Sequence, residues 1–249
     1  MSTAPMSTAV TFATMRRILA QLRHDHRTLA LLIVVPTLLM ILLRYVFDQP
    51  MVFDRIGPML LGLFPFIVMF VVASVATLRE RTSGTLERLM TMPLGKLDLL
   101  LGYALAFGAV ALVQVGVVLV ISLTWLGLDL SGSLGSLVLV SLLDALLGMS
   151  LGLFASAFAR TEFQAVQFMP AFVLPQTLLC GLIIPRDHMA SWLNAVSDVL
   201  PLSYAVEGMQ EISTRSGFTA TLALDVAVIA AFTVVALVLG AVTLRRRTP

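Results

Sequence analysis

Arg79-Glu80-Arg81-Thr82-Ser83-Gly84, continued by Thr85-Leu86-Glu87-Arg88-Leu89-Met90-Thr91-Met92-Pro93, is the stretch in which residue types and spacing point to work. Its charged members Arg79, Glu80, Arg81, Glu87 and Arg88 lie between two long apolar runs. Their chemistry is ion pairing and docking. Gly84 can reverse the chain direction. Leu86, Leu89 and Met90 then recur at i, i+3 and i+4, and Pro93 is a natural stop. The spacing predicts a short helix of about two turns, roughly in the membrane plane, on which a soluble partner can push. A solvated charged loop that only sets topology is the other reading.

A second set is polar but embedded in apolar sequence: Gln114, Asp144, Gln167 and Gln176. An acid at the centre of a membrane span costs roughly 2.5–3.5 kcal/mol on insertion scales, so Asp144 must face a bundle interior or a subunit contact, or be protonated. Two readings stand: a pathway or gating residue, or a structural hydrogen bond to Ser141 or Gln114. The glutamines suit cavity lining or bonding between helices.

Nothing else assembles into a reactive site. No Gly-x-x-x-x-Gly-Lys-[Ser/Thr] occurs, so no phosphate cradle is expected; Gly95-Lys96 lacks the upstream glycine and is followed by Leu97. There is no Gly-x-Ser-x-Gly and no His-Glu-x-x-His, and His24, His26 and His188 form no metal set. The single Cys180 excludes an internal disulfide and reads as a small buried residue. No enzyme activity, metal or cofactor is expected on this chain.

The elements that must position these residues follow from composition. Of the 249 residues, 59% are hydrophobic and 12% charged, against roughly 25% charged in soluble domains. Lipid is therefore the main solvent, and apolar runs of about 20 residues call for helices rather than barrel strands. The class is an all-α membrane protein, a single transmembrane domain over 1–249. Six spans are expected, at about Leu29–Phe47, Gly57–Leu78, Leu100–Leu126, Leu134–Phe158, Ala165–Ile184 and Leu222–Leu244. Pro170 and Pro175 should kink the fifth, and Gly148, Ser150 and Gly152 favour close packing of the fourth. The polar first ten residues and the length of the first apolar run argue against a cleavable leader.

Basic residues orient the spans. One side holds Arg16, Arg17, Arg23, Arg27, Arg79, Arg81, Arg88, Lys96, Arg160 and Arg245 to Arg247; the other holds only Arg44, Arg55, Arg186 and Arg215. Both termini are therefore expected in the cytosol. Asp48, Asp54, Asp129, Asp187, Asp198, Glu207 and Glu211 fall on the outer side. A net charge of +2 is too small to imply nucleic acid.

Two further amphipathic pieces flank the bundle. Over 11–27, Phe12, Met15, Ile18, Leu19 and Leu22 share one face and Arg16, Arg17, Arg23 and Arg27 the other, the pattern of a helix in the headgroup layer. It is either a topology anchor or a lever that touches a cytosolic partner. Over 186–200, Met189, Trp192, Leu193, Val196 and Leu200 oppose Ser191, Asn194, Ser197 and Asp198, bracketed by Pro185 and Pro201. This is either a re-entrant helix capping the outer mouth or a surface loop anchored by Trp192.

With these residues on the page, the chain resembles the ABC transporter type-2 permease family over nearly its whole length. Arg79-Glu80-Arg81 with Gly84-Thr85-Leu86-Glu87 and Pro93 is similar to that family's loop after the second span. Pro201-Leu202-Ser203-Tyr204-Ala205-Val206-Glu207-Gly208 is similar to its motif before the last span. The resemblance implies that Arg79, Glu80, Gly84, Thr85, Glu87, Arg88 and Pro93 form a coupling helix on a separate ATP-binding subunit, present twice, with ATP and Mg held there. It also implies a second permease copy or sister chain in the lipid, a bacterial inner-membrane location, and outward movement of an apolar or amphiphilic substrate. Gln114, Asp144 and Gln176 are then candidates for the pathway, and Trp192, Pro201 and Tyr204 for the outer gate. Leu130-Ser131-Gly132-Ser133 superficially resembles an ATPase signature loop but falls in an outer turn. An ATP-independent carrier or channel is the alternative, less favoured because a single central acid and no internal repeat are visible.

Overall fold

The computed structural model describes residues 7–84, 96–215 and 217–243. Among these residues every regular element is a helix. They are α1 (Thr8–His24), α2 (His26–Phe47), α3 (Pro50–Thr82), α4 (Lys96–Thr124), α5 (Leu134–Ser156), α6 (Glu162–Leu179), α7 (Ser191–Ser197), α8 (Pro201–Thr214) and α9 (Ala220–Thr243), with one 3-10 turn at Arg186–His188. The all-α class stands. Thr85, Glu87, Arg88 and Pro93 of the expected coupling helix lie outside the described residues.

Five of the helices, α2, α3, α4, α5 and α9, are long and apolar enough to cross a membrane. The fifth expected span falls on α6. That helix has 18 residues and carries Glu162, three glutamines, Pro170 and Pro175, which hold its mean hydropathy below that of the others. It runs from Glu162, bonded to Arg79, to Leu179, whose carbonyl oxygen accepts from Ser197 at 2.8 Å. The bundle thus has a basic end, with Arg17, Arg79 and Arg81, and an acidic end, with Asp54, Asp129, Asp198 and Glu207.

The core is a pairing of α3 with α5. Gly148 and Gly152 let the two backbones touch: a Cβ at Gly148 would stand 2.2 Å from the Phe66 carbonyl oxygen, and one at Gly152 2.3 Å from that of Phe70. Phe66, Phe70, Leu137, Leu147 and Leu202 are fully buried around this seam. By contrast, α2 and α9 bury little and expose Leu31, Leu38, Leu42, Val234 and Val238, the outward apolar face that lipid or another subunit solvates.

The N-terminal helix keeps the expected length of 17 residues but starts and ends three residues before 11–27. Asp25 ends it and restarts the chain, accepting from the Thr28 backbone N–H at 3.1 Å as N-cap of α2. Its buried face also differs. Thr11, Thr14, Ile18 and Leu22 are buried, whereas Phe12 is 62% exposed. The reason is close approach: α1 lies on Gly102 of α4, where a Cβ would meet the Thr14 side chain at 2.6 Å. Only small residues fit that contact, so threonines replace the expected aromatic.

The outer segment inverts in a similar way. Ser197 is the buried residue of α7, while Trp192, Val196 and Val199 are exposed. The serine closes the segment on the bundle through Leu179 and through Ser203, at 2.9 Å between the hydroxyls. The apolar face is left outward, as in a helix surrounded by lipid. Gly132, in the Leu130–Ser133 turn, packs on α8, where its Cβ would stand 2.3 Å from the Ile212 carbonyl oxygen. A tight turn accounts for that glycine.

Candidate functional site

At the basic end, three consecutive residues tie four elements together. Arg79 reaches α6: its Nε and Nη2 donate to Glu162 Oε1 and Oε2 at 2.7 and 3.0 Å, and its Nη1 lies 3.8 Å from Asp25 Oδ2. Glu80 turns inward and is buried. Arg17 of α1 holds it through Nη1 to Oε1 at 3.0 Å and Nη2 to Oε2 at 3.3 Å, and the Tyr103 hydroxyl of α4 donates to the same carboxylate. Arg81 donates to the Ser156 carbonyl oxygen at the end of α5.

Helical spacing explains the division. Successive residues on a helix point about 100° apart, so three in a row face three directions. The helix ends on Gly84, whose φ of +71° follows the C-cap Ser83; glycine adopts this left-handed conformation without the penalty a side chain would carry. Movement of the chain beyond Gly84 would therefore be felt at α1, α4, α5 and α6 together.

A second clamp fixes the start of α1. The Asp98 carboxylate is buried and accepts from the Ser7 backbone N–H at 3.1 Å and the Thr11 hydroxyl at 3.3 Å. Electrostatics at the rim agree with the geometry. Hydrogen bonds from Thr28, with Arg79 near, hold the Asp25 carboxyl below the usual carboxylate range. The Arg79 guanidinium does the same for Glu162.

The embedded polar residues Gln114, Asp144 and Gln176 are all buried. Asp144 is fully buried where α3, α5 and α8 meet: a Cβ at Gly62 would stand 3.4 Å from Asp144 Oδ2 and 2.9 Å from the Met209 methyl. Asp144, Gly148 and Gly152 thus form one stripe at i, i+4 and i+8 facing α3. Among the described residues neither Asp144 oxygen has a hydrogen-bond partner, and Ser141 Oγ and the Gln114 amide have none either. Of the two readings for Asp144, the structural bond to Ser141 or Gln114 is not made. Gln176 donates from Nε2 to the Phe172 carbonyl oxygen at 3.0 Å, its Oε1 unpaired.

At the acidic end, Pro201 opens α8 and is buried, and the Tyr204 hydroxyl donates to the Asp198 carbonyl oxygen at 2.7 Å. Trp192 is 69% exposed, facing away from both. Arg186 bridges the 3-10 turn to Glu207 at 2.8 Å and to Asp198.

Four residues take on a role that sequence reasoning had not given them. Arg17 belonged to the expected polar face yet is half-buried against Glu80, and Asp98 and Tyr103 sit where an apolar run begins, with no pattern to announce their partners. Asp225 is a second buried acid, 1% exposed in α9, which corrects the count of one central acid. Its signal was in the sequence: an ionisable residue inside the run expected over Leu222–Leu244.

Comparison with known proteins gives one consistent answer. The model of the family described as ABC-2 type transporter matches residues 8–213. The chain is 27% identical over 162 residues to ABC transporter G family member 20 of Dictyostelium discoideum, covering 65% of this chain and 22% of that protein. It is 28% identical over 155 residues to the probable multidrug ABC transporter permease YbhR of Escherichia coli, covering 62% and 42%. It is 29% identical over 149 residues to the linearmycin resistance permease protein LnrN of Bacillus subtilis, covering 59% and 38%. The matched region takes up less than half of each of these relatives.

Proposed function

This chain belongs to the ABC-2 type transporter family, and on that premise we propose that it is the membrane permease subunit of an ATP-driven exporter. Its engine is a separate ATP-binding subunit, two copies of which hold ATP and Mg. They dock at the basic end on the stretch from Arg79 to Pro93, including Thr85, Glu87 and Arg88. The carrying observation is the buried Glu80, held at once by Arg17 of α1 and Tyr103 of α4. A push on that stretch reaches the N-terminal helix and the spans as one body.

In this reading α6 crosses the membrane with the other five, giving six spans and both termini in the cytosol of a bacterial inner membrane. The excess of arginine at the basic end supports that orientation. A second permease copy or a sister chain covers part of the apolar surface left outward by α2, α6 and α9. The cargo is apolar or amphiphilic, a drug-like compound or a lipid, in keeping with the names of the multidrug and linearmycin resistance relatives. Asp144, Gln114 and Gln176 line the pathway as the bundle changes from inward-open to outward-open, and Pro201 and Tyr204 stand at the exit. The chain itself catalyses nothing.

The test is co-purification and transport. The full chain expressed with its ATP-binding partner should come out of mild detergent as a complex whose ATPase activity drives efflux. Glu80→Ala should insert normally and lose transport. Cargo that crosses without ATP or partner would mark a secondary carrier or channel instead.

A further inference from the structure

The acidic end holds a pocket that the coupling geometry leaves unexplained. It has a volume of about 520 Å³ and lies among Arg186, Asn194, Asp198, Tyr204, Glu207 and Gln210, with Asp225 and Leu224 of α9 on its far wall. The size is that of a small-molecule site. Asp225 approaches α8 at a glycine: a Cβ at Gly208 would stand 3.6 Å from both Cβ and Oδ2 of Asp225. The carboxylate is 1% exposed, and neither of its oxygens has a hydrogen-bond partner among the described residues.

The charges around the pocket do not balance. Asp187, Asp198, Glu207 and Asp225 line it with one cation, Arg186. That guanidinium is already engaged, with Nη1 donating to Glu207 at 2.8 Å and Nη2 pairing with Asp198. A buried carboxylate without a partner is costly, and a cation that donates to it removes the cost. Among the described residues no group of three His, Cys, Asp or Glu could hold a metal ion. An organic cation would supply the missing donors through its own N–H groups, without needing three protein ligands. Leu224, 58% exposed at the rim, offers apolar surface to the rest of such a molecule.

We propose that this pocket is a binding site for an amphiphilic organic cation, whose ammonium or guanidinium seats between Asp225 and Glu207 while its apolar part leaves past Leu224. The carboxylates discriminate by charge, since a neutral head such as a urea supplies N–H donors but no positive charge to offset theirs. Binding is a property of the pocket alone; that the cation is cargo rests on the permease reading.

The experiment uses the full chain in nanodiscs of zwitterionic phosphatidylcholine and a fluorescent dodecylguanidinium, with the matching dodecylurea as the uncharged isostere. The guanidinium should bind saturably and at least tenfold more tightly than the urea. Asp225→Asn and Glu207→Gln should each weaken the guanidinium tenfold or more, leave the urea unchanged and keep a cooperative thermal transition. Asp48→Asn, at the same end but outside the pocket, should change nothing. Equal affinity for the two heads, lack of saturable binding, or unchanged guanidinium binding in whichever of the two pocket variants folds would overturn the proposal. Binding without efflux in the complex with the ATP-binding partner would leave the site standing and remove the cation as cargo.

Discussion

Arg17 and Glu80, 63 positions apart, form a 3.0 Å ion pair that joins the N-terminal helix to the end of α3. Glu80 is the more buried partner, with 10% of its side chain exposed against 26% for Arg17. Removing the arginine therefore harms more than removing a surface ion pair, because it strands a buried carboxylate on Tyr103 alone. Arg17→Ala should loosen α1 by about 1.5–3 kcal/mol, the range for hydrogen bonds to charged groups. The check is limited proteolysis near His24, which should be faster in Arg17→Ala and unchanged in Arg16→Ala.

The α3–α5 seam should tolerate no added methyl. Gly148→Ala and Gly152→Ala place a Cβ against backbone carbonyl oxygens that cannot move independently. Each should destabilise by about 1–3 kcal/mol or more, the cost of overpacking. Gly116, with nothing within 4 Å of its Cβ position, is the control; Gly116→Ala should be neutral or stabilising by up to about 1 kcal/mol. Thermal unfolding in detergent reads all three.

Among the described residues nothing lies within 4 Å of a Cβ at Gly84, but its φ of +71° is unfavourable for other residues. Gly84→Ala should cost about 1–2 kcal/mol locally, from conformation and not from a clash. Gly84→Asn should restore much of it, because asparagine visits this region more readily. Gly84→Pro should leave insertion intact and abolish transport; full transport by that variant would count against a coupling role.

Acid should release α6 from α3 late. The Glu162 carboxyl has its pKa lowered by Arg79, so the link is present above the ordinary glutamate value. It is lost only as pH falls through the depressed folded value. With both side chains about half exposed, the pair contributes under about 1 kcal/mol. Cysteine accessibility at Arg160→Cys should rise below pH 4 in the parent and be independent of pH over that range in Glu162→Gln.

Asp144 separates stability from function. Its carboxylate makes no hydrogen bond among the described residues, so Asp144→Asn should fold as well as the parent or better, since a buried unpaired acid is a cost. Transport should fall or change its substrate preference. Parent-like transport with the same preference would remove Asp144 from the pathway. Asp144→Leu should give the same functional result, with its stability limited by the contact to Gly62 and Met209.

The amino-acid sequence by itself determined the class of solvent, the helical architecture, the arginine-rich end and the position of each long apolar run. These depend on composition and on distances along one chain, which hydropathy and helical period report directly. It also marked Gly84 as a turn and Gly148 and Gly152 as packing residues, because glycine's allowed conformations and small size are intrinsic to it. Tertiary structure decided which face of α1 is buried, since Thr14 is chosen by Gly102 across the contact and not by its own neighbours. It likewise decided that Glu80 faces Arg17 and Tyr103, that Asp144 makes no bond to Ser141 or Gln114, and that Asp225 stands over Gly208. Pairing between distant side chains is a property of how helices meet, and a period within one helix carries no record of its partner.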